Sequence, residues 1–260
     1  MSETSDSTSG ENKFRNKSKE RAYYGRNACL ALFKKRPSDI LRAYLIETLA
    51  DDFKPLMKFC AENKLPYSIC KRDELDKVSS SNHHEGVCVV AKRRDATEFE
   101  IQNWSNSVEG CLVCLDGVEN PHNFGSILRS CANFGARGVI GKKGSLPTLS
   151  GAACRVAEGG AEHLQVCIAT DLVAALEELR KAGFKVVVAT SDTKQSLFKA
   201  SLPKKLIFVF GSEGQGVSKE ILALKDLAVA IPGTKTIESL NVSSAATVVL
   251  AEYYRQHVTR

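Results

Sequence analysis

Apolar and polar positions change period in blocks along the chain. ACLALFKK (28–35) has helical spacing, and LRAYLIE (41–47) reads as a strand. Asp52 to Asn63 places Phe53, Leu56, Met57 and Phe59 on one helical face. PYSIC (66–70) and GVCVVAK (86–92) read as strands, and Asp73 opens a short helix over 72–80. These elements predict a small α/β domain over residues 21–92. KRRDATEFEIQNWSNSVEG (92–110) shows no period, so residues 93–109 read as a linker.

A second series occupies residues 110–258. CLVCLDGV (111–118), RGVIGK (137–142), HLQVCIA (163–169), KVVVAT (185–190), KLIFVFG (205–211) and LAVAIPG (227–233) read as strands. Helices are expected from about Phe124 to Phe134, Ser150 to Ala157, Leu172 to Ala182 and Val242 to Tyr254, the third capped by Asp171 and stopped by Gly183. Continuous apolar strands alternating with helices predict an α/β fold, a parallel sheet flanked by helices.

Charge changes this picture at one end. Residues 12–94 hold 19 cations against 10 acids, whereas residues 95–260 hold 17 of each. The densest run, Lys13 to Arg26, interleaves six cations with Phe14, Tyr23 and Tyr24. Such a run either holds phosphates and stacks bases, or is a solvated arm. Residues 1–20 are polar enough to be a disordered tail. No apolar stretch reaches membrane-span length and the N-terminus is too polar for a signal peptide, so a cytoplasmic protein is expected. The nine cysteines are odd in number and sit mostly in apolar runs, which suits buried thiols. Cys111 and Cys114, three apart on a strand, point to opposite faces and make a poor metal or disulfide pair. His83 and His84 lack cysteines at zinc spacing and read as a polar turn, so no metal is expected. Trp104 is expected to pin the linker to a domain.

In a parallel sheet, ligands collect at the carboxyl ends of the strands. Three clusters fall there. Asn120, His122, Asn123 and Gly125 follow the first strand of the second series, with Arg129 on the helix behind them. A helix charge of this kind either snorkels to water or serves a site. Gly211, Gly214 and Gly216 form a turn with Glu213, whose charge suits a neutral or cationic ligand better than a phosphate. Pro232 and Gly233 end the last strand, and Ser239 and Asn241 precede the last helix, where Asn241 or Ser243 also suits a helix cap.

Together, NFGSILR (123–129), FGSEGQGVS (210–218) and IPGTKTIESLNVSSA (231–245) resemble the three ordered motifs of the SpoU, or TrmH-type, branch of the SPOUT RNA methyltransferases. The likeness covers residues 111–254. Residues 21–92 are similar to the ribosomal-protein-like substrate-binding domain of that family, mainly through HHEGVCVVA (83–91).

The resemblance implies a C-terminal trefoil knot, a homodimer, and S-adenosyl-L-methionine as cofactor for methylation of an RNA ribose 2′-hydroxyl. By position, Gly211, Gly214, Ile231 and Leu240 would line the cofactor pocket, with Thr190 and Glu213 beside them. Arg129 matches the catalytic arginine. Because a guanidinium stays protonated, its expected part is to clamp a phosphate and stabilise alkoxide charge. Asn123 and Asn241 would orient Arg129 and the cofactor, and Ser239 would hold the RNA backbone. Phe124 stands where many members have Pro or a small residue and is expected to narrow the pocket mouth. Lys235 adds a cation near the site. With no long extension after the last helix, RNA grip is expected from the N-terminal domain. The alternative is a catalytically inactive RNA-binding or ribosome-assembly protein of the same fold, which the intact Arg129, Glu213, Ser239 and Asn241 disfavour. A Rossmann dehydrogenase lacks its glycine fingerprint after Val118.

Overall fold

A computed structural model describes residues 19–105, 109–234, 236–237 and 239–258. The expected tail, with Phe14, lies almost wholly outside these residues, as does Lys235. In chain order the first elements are β1 (Glu20–Tyr24), α1 (Arg26–Lys35), β2 (Ile40–Leu45), α2 (Lys54–Glu62), β3 (Tyr67–Ile69), α3 (Arg72–Ser79) and β4 (Val87–Lys92). Then come β5 (Thr97–Glu98), α4 (Gln102–Ser105), β6 (Gly110–Asp116), α5 (Pro121–Asn133), β7 (Gly138–Lys142) and α6 (Gly151–Val156). The chain continues through β8 (Gln165–Ala169), α7 (Leu172–Lys181), β9 (Lys185–Ala189), β10 (Lys205–Gly211), α8 (Lys219–Ala223), β11 (Leu227–Val229) and α9 (Val242–His257).

Two compact units result. The first takes the chain up to Arg94 together with residues 150–162; the second takes residues 95–149 and 163–260.

The first unit is a four-stranded sheet in the order β1-β4-β2-β3, with β4 antiparallel to both neighbours and β3 parallel to β2. Residues 19–26 of the basic run are described, and there the chain is folded: β1 begins at Glu20, and Tyr23 and Tyr24 are buried. Neither ring can stack a base, because each spends its face on the core; Tyr24 packs with Leu75 and Cys88. His84 is also buried and fixes the turn before β4. Its Nδ1 accepts the Gly86 N–H at 2.9 Å, so the ring proton sits on Nε2, 2.9 Å from Asp76 Oδ1. The helix at 150–157, expected inside the second series, packs here as α6. Gly151 lies so close to Ala22 and Tyr24 that a Cβ would come within 2.4 Å of the Ala22 carbonyl oxygen.

The second unit is a seven-stranded sheet, β11-β9-β10-β6-β7-β8-β5, parallel at every pairing. Its strands read as unbroken apolar runs because helices cover both faces. Leu112, Cys114, Val186, Val188, Ile207 and Val209 face Leu172, Leu176 and Leu179 of α7. On the other face, α5 packs against α9 and the rings of Phe208 and Tyr253 meet edge-on at 6.2 Å. Asp171 caps α7 as expected, accepting the N–H groups of Val173 and Ala174. The supposed linker contributes β5 to the sheet edge and buries Trp104 over Gly138, where a Cβ would stand 2.4 Å from the indole. Among the described residues no helix is long and apolar enough to cross a membrane.

All nine cysteines are free thiols, and only Cys70 is not fully buried. Burial pushes the Cys88 and Cys154 thiols up to about 12, and Cys29, Cys111, Cys114 and Cys131 also rise. Native protein at pH 8 should therefore react slowly with iodoacetamide, first at Cys70, and all nine should label in urea. Mass spectrometry of labelled peptides checks the order; fast labelling of Cys114 in native protein would contradict it.

Candidate active site

Parallel pairing brings the carboxyl ends of four adjacent strands to one edge. Gly211 closes β10 opposite Asp116, which closes β6. Thr190 follows β9, and its N–H donates to Val229 O of β11 at 3.0 Å. β11 ends at Val229, earlier than expected, and Ile231 follows beyond it. The chain then runs through Gly233 to Ser239, Leu240 and Asn241.

The glycine turn is a closed loop. Ser212 N–H donates to Gly216 O, and Gly216 N–H donates to Ser212 O. The Ser218 N–H donates to Asp116 Oδ2 at 2.7 Å, tying the loop to β6. A Cβ on Gly211 would lie 2.0 Å from the backbone carbon of Gly216, so this position admits only glycine. Gly214, Gly216 and Gly233, by contrast, face open space.

At this edge three polar side chains converge from three separate segments. Asn123 Nδ2 donates to Glu213 Oε1 at 2.9 Å, and Asn241 Nδ2 donates to the same oxygen at 2.6 Å and to Asn123 Oδ1 at 3.0 Å. The other end of the Asn241 amide caps α9, Oδ1 accepting the Ser243 N–H at 3.0 Å. Asn241 is therefore both a helix cap and a site residue, so the two functions compete for nothing. Asn120 caps α5 in the same way and holds Asn123 at its first turn. The result is a carboxylate aimed by two amides that are themselves fixed at helix starts.

Arg129 is exposed six residues further along α5 than Asn123. It makes no hydrogen bond or ion pair with any described residue, so neither Asn123 nor Asn241 orients it. It is left with five donors for a ligand. Ser239 and Leu240 are exposed beside Asn241. Phe124 does not narrow the mouth. It is wholly buried, because it faces the sheet from α5. Asp116, Ser130 and Thr247 carried no signal in the sequence. Ser130 Oγ lies 2.7 Å from Thr247 Oγ1, joining α5 to α9 behind the cluster.

The residues fit S-adenosylmethionine. A backbone-only wall at Gly211, open space at Gly214, Gly216 and Gly233, an exposed apolar Leu240 and a carboxylate suit an adenosine and a sulfonium cation. Among the described residues no group of three or more His, Cys, Asp or Glu could hold a metal ion.

A model described as the SpoU rRNA methylase family matches residues 110–251, and one described as RNA 2′-O ribose methyltransferase substrate binding matches residues 23–96. The chain belongs to the SpoU rRNA methylase family. It is accordingly an S-adenosylmethionine-dependent RNA 2′-O-ribose methyltransferase. It is similar to the uncharacterized tRNA/rRNA methyltransferase YfiF of Escherichia coli O157:H7, 40% identical over 94% of this chain and 70% of that one. It is also similar to the 23S rRNA (guanosine-2′-O-)-methyltransferase RlmB of Nitrosomonas europaea, 31% identical over 91% and 92% of the two chains. The fold matches the SpoU methyltransferase AviRb of Streptomyces viridochromogenes in complex with AdoMet, at a TM-score of 0.76 over 93% and 92% of the chains and 21% identity.

Gly211→Ala should abolish cofactor binding, since the added methyl meets backbone and not a flexible side chain. Isothermal titration with S-adenosylmethionine checks this. Gly214→Ala, which points into open space, should bind within a few fold of wild type.

Proposed function

We propose that the edge formed by Arg129, Asn123, Glu213, Ser239 and Asn241 methylates a guanosine 2′-hydroxyl of ribosomal RNA. The observation that carries this is the convergence of Asn123, Asn241 and Glu213 next to the Gly211 turn, with Arg129 exposed further along α5 and bonded to no described residue. The substrate class is supported by the RlmB relatives, which are named for 23S rRNA. Gly211, Gly214, Ile231 and Leu240 would hold S-adenosylmethionine, with Thr190 at the neighbouring strand end and Glu213 toward its positive charge. When bound, that cofactor supplies an electrophilic methyl group.

The protein's own part is alignment and charge. A ribose hydroxyl is a poor nucleophile and sheds its proton as it attacks. Arg129 cannot take that proton at neutral pH. It clamps the adjacent phosphate and stabilises negative charge growing on the 2′-oxygen, while the proton leaves to phosphate or water. Ser239 donates to the RNA backbone, and Asn123 and Asn241 keep Glu213 in place so that oxygen and methyl stay in line. The C-terminal segment is read as threading the family's trefoil knot, and the active form as a cytoplasmic homodimer. Residues 21–94 with 150–162 are read as the RNA-binding domain, and 95–149 with 163–258 as the methyltransferase.

Mapping 2′-O-methyl groups in total RNA, with and without the gene, tests the proposal. Loss of one guanosine methylation in 23S rRNA is expected. An unchanged map, together with no S-adenosylmethionine binding at millimolar concentration, overturns it.

A further inference from the structure

Among the described residues of the first unit, β3 has a neighbouring strand on one side only. Pro66 O accepts the Ala43 N–H and the Cys70 N–H donates to Leu45 O, so residues 66, 68 and 70 turn their peptide groups toward β2. The alternate residues, Tyr67 and Ile69, turn theirs to the open edge. Their side chains share one face of the strand and are 43% and 53% exposed. In a sheet whose other tyrosines are partly or wholly buried, an aromatic ring in solvent requires a reason.

The flanking charge supplies one. Residues 64–72 hold Lys64, Lys71 and Arg72 and no acid, and all three cations are exposed. Elsewhere in this unit several cations are paired, Arg26 with Asp52, Arg36 with Glu162, Arg42 with Glu20, Lys54 with Asp51 and Lys58 with Glu62, whereas the three beside β3 sit next to an exposed aromatic ring. Lys64 and Lys71 pair with no described acid. Arg72 spends one nitrogen on Asn82 O at 3.4 Å. Positive charge and an open ring are what a single strand of nucleic acid binds, through its phosphates and base faces. A peptide strand is a poor occupant, because a three-residue edge flanked by Pro66 and lysines resists strand addition.

We infer that the β3 edge is a docking strip for single-stranded RNA, with a base stacked on Tyr67 and phosphates held by Lys64, Lys71 and Arg72. The inference rests on the chain's being an RNA methyltransferase, and locates where the first unit grips an unpaired stretch of its substrate. It moves the stacking function from Tyr23 and Tyr24, which are core residues, to a tyrosine whose sequence setting gave no hint of it.

The test uses the full chain and two fluorescent probes, a 20-nucleotide oligo(U) and a 20-base-pair RNA duplex, read by anisotropy from 50 to 200 mM salt. Tyr67→Ala should weaken oligo(U) binding about tenfold and leave duplex binding unchanged. Tyr67→Phe should restore the oligo(U) affinity. Lys64→Ala and Lys71→Ala should each lower the salt slope by about 0.7. All these side chains are exposed, so thermal melting should not change. S-adenosylmethionine titration should match wild type in every variant. Wild-type affinity for oligo(U) in Tyr67→Ala overturns the strip, as does a change only in self-association. Failure of the catalytic reading shows separately, as absent cofactor binding in the wild-type protein.

Discussion

Arg129→Ala should abolish methyl transfer while leaving S-adenosylmethionine affinity within a few fold of wild type. The split follows from where Arg129 stands. It touches none of Asn123, Glu213 and Asn241, which make the polar frame of the site. Removing it therefore leaves that frame and the Gly211 wall in place. What is lost is a permanently charged donor next to an oxygen that becomes an anion only as the reaction proceeds. Removing one such donor typically costs about 10²–10³ in turnover, and loss of the phosphate clamp adds to it. Arg129→Lys should recover little, because a point charge does not reproduce a planar fork. Asn241→Ala should behave differently. It takes away the α9 cap and one of the two donors to Glu213 at once, so cofactor affinity and turnover should fall together. Isothermal titration beside a tritium-methyl transfer assay separates the two patterns. Full activity in Arg129→Ala would remove it from the mechanism.

The parts of this site differ in how far they can be read from the chain. β6 and β10 are legible because burial on both faces demands unbroken apolar runs, as in CLVCL and LIFVF. Asn120, Asn241 and Asp171 are legible because a helix start needs a short polar acceptor. β1 is not: ERAYY looks like the end of a charged tail, and only its pairing with β4 makes it a strand. β5, at two residues, and α8, at five, are too short to show a period. The convergence on Glu213 was invisible for another reason. Its hydrogen bonds span 90 and 28 residues, and that between Asn241 and Asn123 spans 118. Motif order says that these segments matter, but which atom meets which is set by strand order. The charge pattern shows the same limit. An excess of cations in residues 12–94 is plain in the sequence, yet the structure commits many of them to internal pairs.

Glu162→Ala is expected to be the most damaging change far from the chemistry, lowering the stability of the first unit by about 3–5 kcal/mol. Its side chain is only 6% exposed. Arg36 donates to it through Nε and Nη2, both at 3.0 Å, and Arg94 Nη1 lies 3.3 Å away. Burial alone would lower the Arg36 pKa, but the hydrogen bond and charge of Glu162 hold it above its ordinary value. The rest of the guanidinium bonds to Lys92 O and Asp39 and lies 4.7 Å over the Tyr23 ring. Deleting the carboxylate removes two short contacts from a mostly buried charge that cannot deprotonate and leaves it only Asp39, at 3.3 Å, as an acidic partner, so the cost is that of a poorly compensated ion and not of one lost contact. An exposed pair gives the contrast: Glu98→Ala breaks a 2.7 Å contact to Lys143 yet should cost under about 1 kcal/mol. Because the chain holds two units, a single melting curve would mix them. Hydrogen exchange at the amides of β1 and β4 reads the first unit directly. Protection there should collapse in Glu162→Ala and persist in Glu98→Ala. In the double variant Arg36→Met, Glu162→Ala, much of the loss should be recovered, because no poorly compensated Arg36 charge remains. A double variant as unstable as the sum of its singles would mean that packing, not the ion pair, holds residues 150–162 in place.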